Sequence, residues 1–296
     1  MRSMFKKKGK YILLILLLLL LAGCTKVTDS TGKVLAEKII YTTTTFGDIL
    51  SESWFTAIFV YPLAQVINIL TPSVGVVLAI VLCTVFVNLI TLPITASSTA
   101  GSQKMQMIQP EMEKINKKYE GKTDERSKMM QAQEVQGLYK KYGIKPLATI
   151  LGTFITLPIM IAMWQAVIRS YAVATGTFMG VDLQISPLNG LKAGGSAIVI
   201  YITFYVLMGI FQYLSISLPK WLAKKKNEDD HKIRSYDKPE KSSAVNTDMM
   251  TYSMLALILF MGATWPTAMS VYWMVNSGVM IMKTVFVQHS INKKGI

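Results

Sequence analysis

The chain has 296 residues, 51% of them hydrophobic, and a formal net charge of +14 from 31 Lys and Arg against 17 Asp and Glu. With a mean hydropathy of +0.39, this composition excludes an ordinary soluble fold. Two cysteines exclude a disulfide framework. The charges avoid five long apolar runs, roughly 74–94, 147–168, 196–218, 249–265 and 267–287, and only Lys283 falls inside one. Each run approaches the length that a helix needs to cross about 30 Å of hydrocarbon, where every backbone amide must find an internal partner. The expected fold is an all-α membrane protein: five transmembrane helices, a cytoplasmic helical hairpin and an outer interfacial amphipathic helix.

Residues 1–23 read as a signal peptide. The basic start Arg2, Lys6, Lys7, Lys8 and Lys10 precedes a leucine-rich stretch too short for a comfortable span. It ends Leu21-Ala22-Gly23-Cys24, which resembles a bacterial lipoprotein cleavage box. The resemblance implies that Cys24 becomes a lipid-modified amino terminus, bearing palmitate-type chains. An uncleaved signal anchor is the simpler alternative.

Residues 24–73 form the expected extracellular segment. Phe46–Leu70 is apolar but interrupted by Asp48, Glu52, Pro62, Gln65 and Asn68, and predicts an interfacial helix broken near Pro62. Trp54 and Tyr61 suit that depth. A sixth crossing here would put the basic segments outside. The first span, 74–95, carries Thr84, Asn88, Thr91 and Thr95 at spacings of four, three and four, all on one helical face.

Residues 96–146 exceed what a simple connection needs. Met105, Ile108, Met112, Ile115 and Tyr119 draw one apolar stripe, and Ala132, Val135, Leu138 and Tyr142 a second. Gly121 separates them, with Thr123 as the expected N-cap. Two such helices pack most simply as an antiparallel hairpin. Its basic outer face suits either anionic lipid headgroups or a macromolecular partner.

The remainder, 147–288, holds four spans around a cytoplasmic loop at 219–248, and 289–296 is a cytoplasmic tail. The loop is highly charged and aperiodic, which predicts disorder. Tyr201, Tyr205, Gln212 and Ser215 line up on the third span, and Ser270, Trp273 and Ser277 on the last, with Asn276 beside them. An amide facing lipid would lose its water partners without return, so Asn88 and Gln212 should face other helices or a wet cavity. Interhelical bonding alone is the simpler account of each hydroxyl. Lys283, near the inner end of its span, can snorkel to the interface. The Lys and Arg clusters at 2–10, 96–146, 219–248 and the carboxyl end assign these segments inside, giving an amino end out and a carboxyl end in.

No Asp, Glu or His lies in any run. A proton relay or carboxylate cation site therefore has no candidates, and no nucleotide or zinc motif occurs. The expectation is a non-enzyme with no catalytic residue, cofactor or metal, and no DNA partner. The 19 methionines suit either core filling or adaptable apolar surfaces.

Thr84–Ile94 (TVFVNLITLPI), Lys145–Ala166 (KPLATILGTFITLPIMIAMWQA) and Pro266–Trp273 (PTAMSVYW) resemble signature regions of the YidC/Oxa/Alb membrane protein insertases. The order of the parts does too, and the short form with a lipoprotein-type start resembles the Gram-positive kind. The resemblance implies a chaperone-like insertase of the bacterial cell membrane that moves hydrophobic segments of nascent proteins into the bilayer. It implies a hydrophilic groove, for which Thr84, Asn88, Thr91, Thr95, Tyr201, Tyr205, Gln212, Trp273, Asn276 and Ser277 are the candidates. It also implies ribosome, Sec translocon or signal-recognition receptor, and membrane lipids as partners. The family usually places an arginine where this chain has Asn88. An amide keeps hydrogen bonding but loses the charge that would attract acidic substrate tails, so the expectation is a groove working through hydration. A small-molecule transporter or channel is the alternative, although no internal repeat supports it. An assembly factor that has lost insertion is a third.

Overall fold

The structure is a computed structural model that describes residues 27–29, 33–233 and 247–293. The signal peptide, Cys24 and part of the charged loop lie outside the described residues. Chain order runs α1 (Phe46–Glu52), α2 (Tyr61–Val74), α3 (Val76–Met107), α4 (Gln109–Lys118), α5 (Glu125–Lys141), α6 (Pro146–Arg169), α7 (Tyr171–Thr175), β1 (Thr177–Phe178), β2 (Val181–Asp182), α8 (Pro187–Ala193), α9 (Ala197–Ile233), α10 (Thr247–Thr264) and α11 (Thr267–Lys293). By length and composition, Thr56–Val74, Val76–Met107, Ala197–Lys225 and Thr267–Lys293 are able to cross a membrane, while Phe154–Arg169 and Tyr252–Thr264 are shorter apolar helices.

Several boundaries differ from those expected, each for a local reason. The break in the segment after residue 45 falls at Ser53, whose extended φ and ψ end α1, and not at Pro62. Thr45 and Asp48 close α1 with a reciprocal capping box. Pro62 lies near the start of α2, which follows a π-turn at Thr56–Val60. Proline lacks an N–H, and the wider turn passes it without breaking the helix. The helix that starts at Ala197 runs past the expected end at 218 to Ile233. Its Lys-rich continuation extends an existing helix, for which no new nucleus is needed.

The chain forms two compact units. The first draws its described residues from Met1–Ile90, Phe154–Ile210 and Ile258–Asn276. Its main core gathers Ile67, Ile80, Cys83, Met163, Met208 and Met269, all fully buried. A second cluster joins Ile49, Phe55 and Val60 to Ala162 and Ala166 of α6, where small residues permit close approach.

The segment before α1 is tied to α6 by a buried ion network. Arg169 is 1% exposed. Its Nη2 donates to Glu52 at 2.7 Å, its Nε to the Lys38 carbonyl at 2.7 Å, and its Nη1 to Gln165. Lys38 adds a second cation to Glu52 at 3.2 Å. Asn68 donates to the Ile40 carbonyl and accepts from the Ala172 amide, while Gln184 donates to the Ile168 carbonyl. Met179 and Gly180 both take positive φ between β1 and β2, the conformation of a two-residue hairpin turn.

The second unit draws on Thr91–Thr153, Phe211–Leu257 and Ser277–Ile296. Here α4 and α5 lie antiparallel, as their cross-links require: Glu111 meets Tyr142 and Lys141, Asn116 meets Gln131, and Lys118 and Tyr119 both meet Glu134. Ile108, Leu138 and Ile144 form the apolar seam with Met105, Met112 and Ile115 against it. Asp124, not Thr123, caps α5 by accepting from the Ser127 amide; carboxylate and hydroxyl compete for the same orphan N–H groups, and the residue nearer the helix wins.

Burial raises the Glu52 carboxyl's pKa, but the hydrogen bonds and charges of Arg169 and Lys38 outweigh it and hold the value below the ordinary 4.5. A depressed carboxylate contributes stability above the ordinary value and loses it as pH falls through the lowered one. Glu52→Ala should therefore cost about 3 kcal/mol near neutrality, because it strands a buried guanidinium, and the deficit should shrink below about pH 4.5. Thermal melts of detergent-solubilised protein across pH check this; a deficit independent of pH would refute the network's role.

Candidate functional site

The polar residues singled out in the spans do not all do the same thing. In the first unit, Asn88 is half-buried, and its Nδ2 donates to the Asn276 Oδ1 at 3.2 Å and to the Thr84 carbonyl at 3.0 Å. Two amides from α3 and α11 thus meet. On the same stretch of α3, Phe86, Leu89 and Ile90 are 52%, 62% and 62% exposed. One helix therefore presents a polar face and a bare apolar face within a few residues. Tyr205 is half-buried and donates to the Leu259 carbonyl at 3.3 Å.

Three sequence-named residues lie in the packed interior instead. Thr84 is fully buried and returns its hydroxyl to the Ile80 carbonyl. Tyr201 is buried, donates to the Asp182 carbonyl, and packs so closely on Gly190 that a Cβ there would stand 2.2 Å from the ring. Trp273 closes a column with Trp265 and Trp164, successive centroids 5.4 Å apart. Thr84 and Tyr201 share a helical face with Asn88 and Tyr205 respectively, but a face turns from surface to interior along a helix as neighbours change.

In the second unit, Ser277 donates to Gln212 Oε1 at 2.7 Å, joining α11 to α9. Thr91 is half-buried. Thr95 donates to the Thr91 carbonyl at 3.0 Å and accepts from Lys283 Nζ at 3.1 Å. Lys283 is only 9% exposed. Its ammonium meets a hydroxyl of α3, a partner that the apolar pattern around it does not announce. Gln103, which the sequence reading did not single out, donates to the Thr284 carbonyl at 3.0 Å. Gly101 meets Thr149 so tightly that a Cβ would approach its Oγ1 to 2.1 Å.

Gln103 carries a weak signal in the sequence, since it continues the four-residue spacing of Thr95 and Thr99 beyond the predicted end of the span. Among the described residues no group of three His, Cys, Asp or Glu side chains is placed to hold a metal ion.

Residues 66–294 match the family model described as 60Kd inner membrane protein. The chain is 30% identical over 285 residues to the membrane protein insertase YidC 1 of Streptococcus pyogenes, an alignment that covers 96% of this chain and 86% of that protein. It is 31% identical over 242 residues to the membrane protein insertase YidC of Alkalihalophilus pseudofirmus, covering 80% and 82%. To the membrane protein insertase MisCA of Bacillus subtilis it is 26% identical over 285 residues, covering 96% and 92%. All three are named as insertases, and none favours the transporter alternative.

The Asn88–Asn276 bond predicts a measurable coupling. Asn276→Leu should destabilise the protein by about 1 kcal/mol, the upper range for interhelical polar bonds in membranes. Combined with Asn88→Leu, the loss should be less than the sum of the two single changes. Melting of the four proteins in one detergent reads the coupling, and strict additivity would show that the two amides act separately.

Proposed function

The chain belongs to the 60Kd inner membrane protein family, and we propose that it is a membrane protein insertase and chaperone. It moves hydrophobic segments of nascent proteins into the bilayer, alone or beside the Sec translocon. The observation that carries this reading is the juxtaposition on α3. Asn88 is bonded to Asn276 at half-buried depth, while Phe86, Leu89 and Ile90 stand exposed on the neighbouring surface.

An inserting segment has the same two-sided character, with apolar side chains and a polar flank. Its apolar part gains by leaving water, and exposed aliphatic side chains offer it a surface to slide along. Its polar flank loses water partners on entering hydrocarbon. The amide of Asn88, bonded to Asn276, replaces some of those partners, which lowers the cost of the intermediate position. No covalent step and no nucleotide are needed. The polar face of α3 is therefore the proposed hydrophilic groove wall, with Asn276 as partner; Thr84 and Tyr201 support it from the interior.

The proposed orientation follows the basic loops. The amino end is outside on a lipid-modified Cys24, the segment from 46 to 74 lies toward the outer face, and α4, α5 and the carboxyl end are cytoplasmic. The α4–α5 hairpin, basic and cross-linked by its own ion pairs, then stands where ribosome, targeting receptor or anionic headgroups would be met.

Site-specific photocross-linking tests the function. A probe at Asn88 should capture a stalled nascent membrane protein through its hydrophobic segment, and a probe at Met179, exposed on the β1–β2 turn, should not. Capture at neither position, or transport of a small solute without capture, would overturn the reading.

A further inference from the structure

In the first unit, the connection between α6 and α9 carries a short helix whose outward side is partly apolar. On α8, Pro187 and Gly190 are buried, while Leu188, Asn189, Leu191 and Lys192 are exposed. A helix turns about 100° per residue, so residues three apart lie on one row. The rows around α8 are Pro187 with Gly190, Leu188 with Leu191, and Asn189 with Lys192. The first row meets the protein. Gly190 stands so close to the Tyr201 ring of α9 that a Cβ would come within 2.2 Å, and the Tyr201 hydroxyl donates to the Asp182 carbonyl at 3.0 Å. The leucine row turns out of this contact, with Leu188 47% and Leu191 46% exposed.

We infer that α8 is an interfacial foot on the leaflet where α9 begins. Its leucine row enters the edge of the hydrocarbon, and its Asn189–Lys192 row stays at the level of the lipid phosphates. A helix facing water turns polar residues outward. One that touches protein on one side and a lipid surface on another needs a packed row, an apolar row and a polar row, which is the arrangement of α8. Lipid is the occupant because the leucines continue a surface that already faces lipid. Along the start of α9, in the stretch able to cross a membrane, Val199 is 65%, Ile202 43%, Val206 46% and Ile210 48% exposed, at spacings of three, four and four. Within α8 the sequence PLNGLKA holds one cation and no acid, which suits a position beside phosphates. The stem of Lys192 can lie along the apolar surface while its ammonium reaches them.

The foot sets the depth of α9. A helix of seven residues does not hold its shape unaided; the Ser186 hydroxyl, which accepts from the Asn189 amide at 3.2 Å, and the seat on Tyr201 hold it. With α8 fixed to Tyr201, sinking α9 would drag Lys192 into hydrocarbon, and raising it would return Leu188 and Leu191 to water. The height of Tyr205, one turn beyond Tyr201, is fixed with it.

The test uses full-length protein with Cys24 and Cys83 replaced, in phosphatidylcholine nanodiscs. A nitrobenzoxadiazole fluorophore is attached singly at Leu188, Asn189, Leu191 or Val199. Labels at Leu188 and Leu191 should be quenched by phosphatidylcholine bearing a nitroxide near the headgroup end of its chain and shielded from aqueous iodide, whereas iodide should quench the label at Asn189. Iodide quenching at the leucines as strong as at Asn189 overturns the inference, because the row then faces water. Shielding from both quenchers also overturns it, because protein, such as a second copy of the chain, then covers the row. If one leucine-labelled protein does not fold, the other decides. Lys192→Leu removes the headgroup stop, so the Val199 label should shift toward the bilayer centre, read as quenching lost from shallow nitroxides and gained from deep ones. Lys192→Arg should leave it in place. An unmoved Val199 label in Lys192→Leu refutes the depth-setting role. None of these readings involves insertion of a substrate, so they stand or fall apart from the insertase reading.

Discussion

A polar side chain at hydrocarbon depth has no water to fall back on, and that constraint organises this protein. Several amides and hydroxyls in its long apolar helices are joined to another helix or to their own backbone: Asn88 to Asn276, Ser277 to Gln212, Tyr205 to the Leu259 carbonyl, Thr84 to the Ile80 carbonyl. Each bond is modest by itself. Its larger effect is on register, since an amide left facing lipid tails costs more than a paired one gains. The bonds thus fix which faces of the helices meet and which remain as bare leucine, isoleucine and phenylalanine.

The same logic holds with stronger groups where the chain leaves its long helices. Arg169 is almost wholly buried, yet three acceptors on different segments receive its N–H groups. Satisfying a buried guanidinium takes several partners in fixed places, so the network defines the path of the segment that precedes α1. In the second unit, ion pairs join α4 and α5 at the surface, where water screens them. There the apolar seam around Ile108 and Leu138 supplies the stability, and the ion pairs mainly set which residues stand opposite.

Charge exclusion from the apolar runs made the helical membrane class legible in the sequence, because the cost of burying charge leaves a mark in every span. The pairing need of Asn88 was legible for the same reason. Its partner was not, since Asn276 lies 188 residues away and periodicity carries no information about which helix is adjacent. The stop at Ser53 and the passage through Pro62 depend on a single wide turn, which residue preferences do not announce. The extension to Ile233 was hidden because a charged stretch looks alike whether solvated as coil or carried on as a helix. Lys283 shows the same limit: its place near a span end is legible, but not that the Thr95 hydroxyl of another helix lies beside its ammonium.

The central claim is that the polar face of α3 is hydrated while its neighbouring face meets lipid. The direct measurement is spin-label accessibility in bilayers, with labels placed singly at Thr91 and Thr95 and at Phe86 and Leu89, in a background where Cys24 and Cys83 are replaced. Labels at Thr91 and Thr95 should relax with a water-soluble paramagnet, and those at Phe86 and Leu89 with oxygen, which partitions into lipid. Oxygen dominance at all four positions would contradict the account.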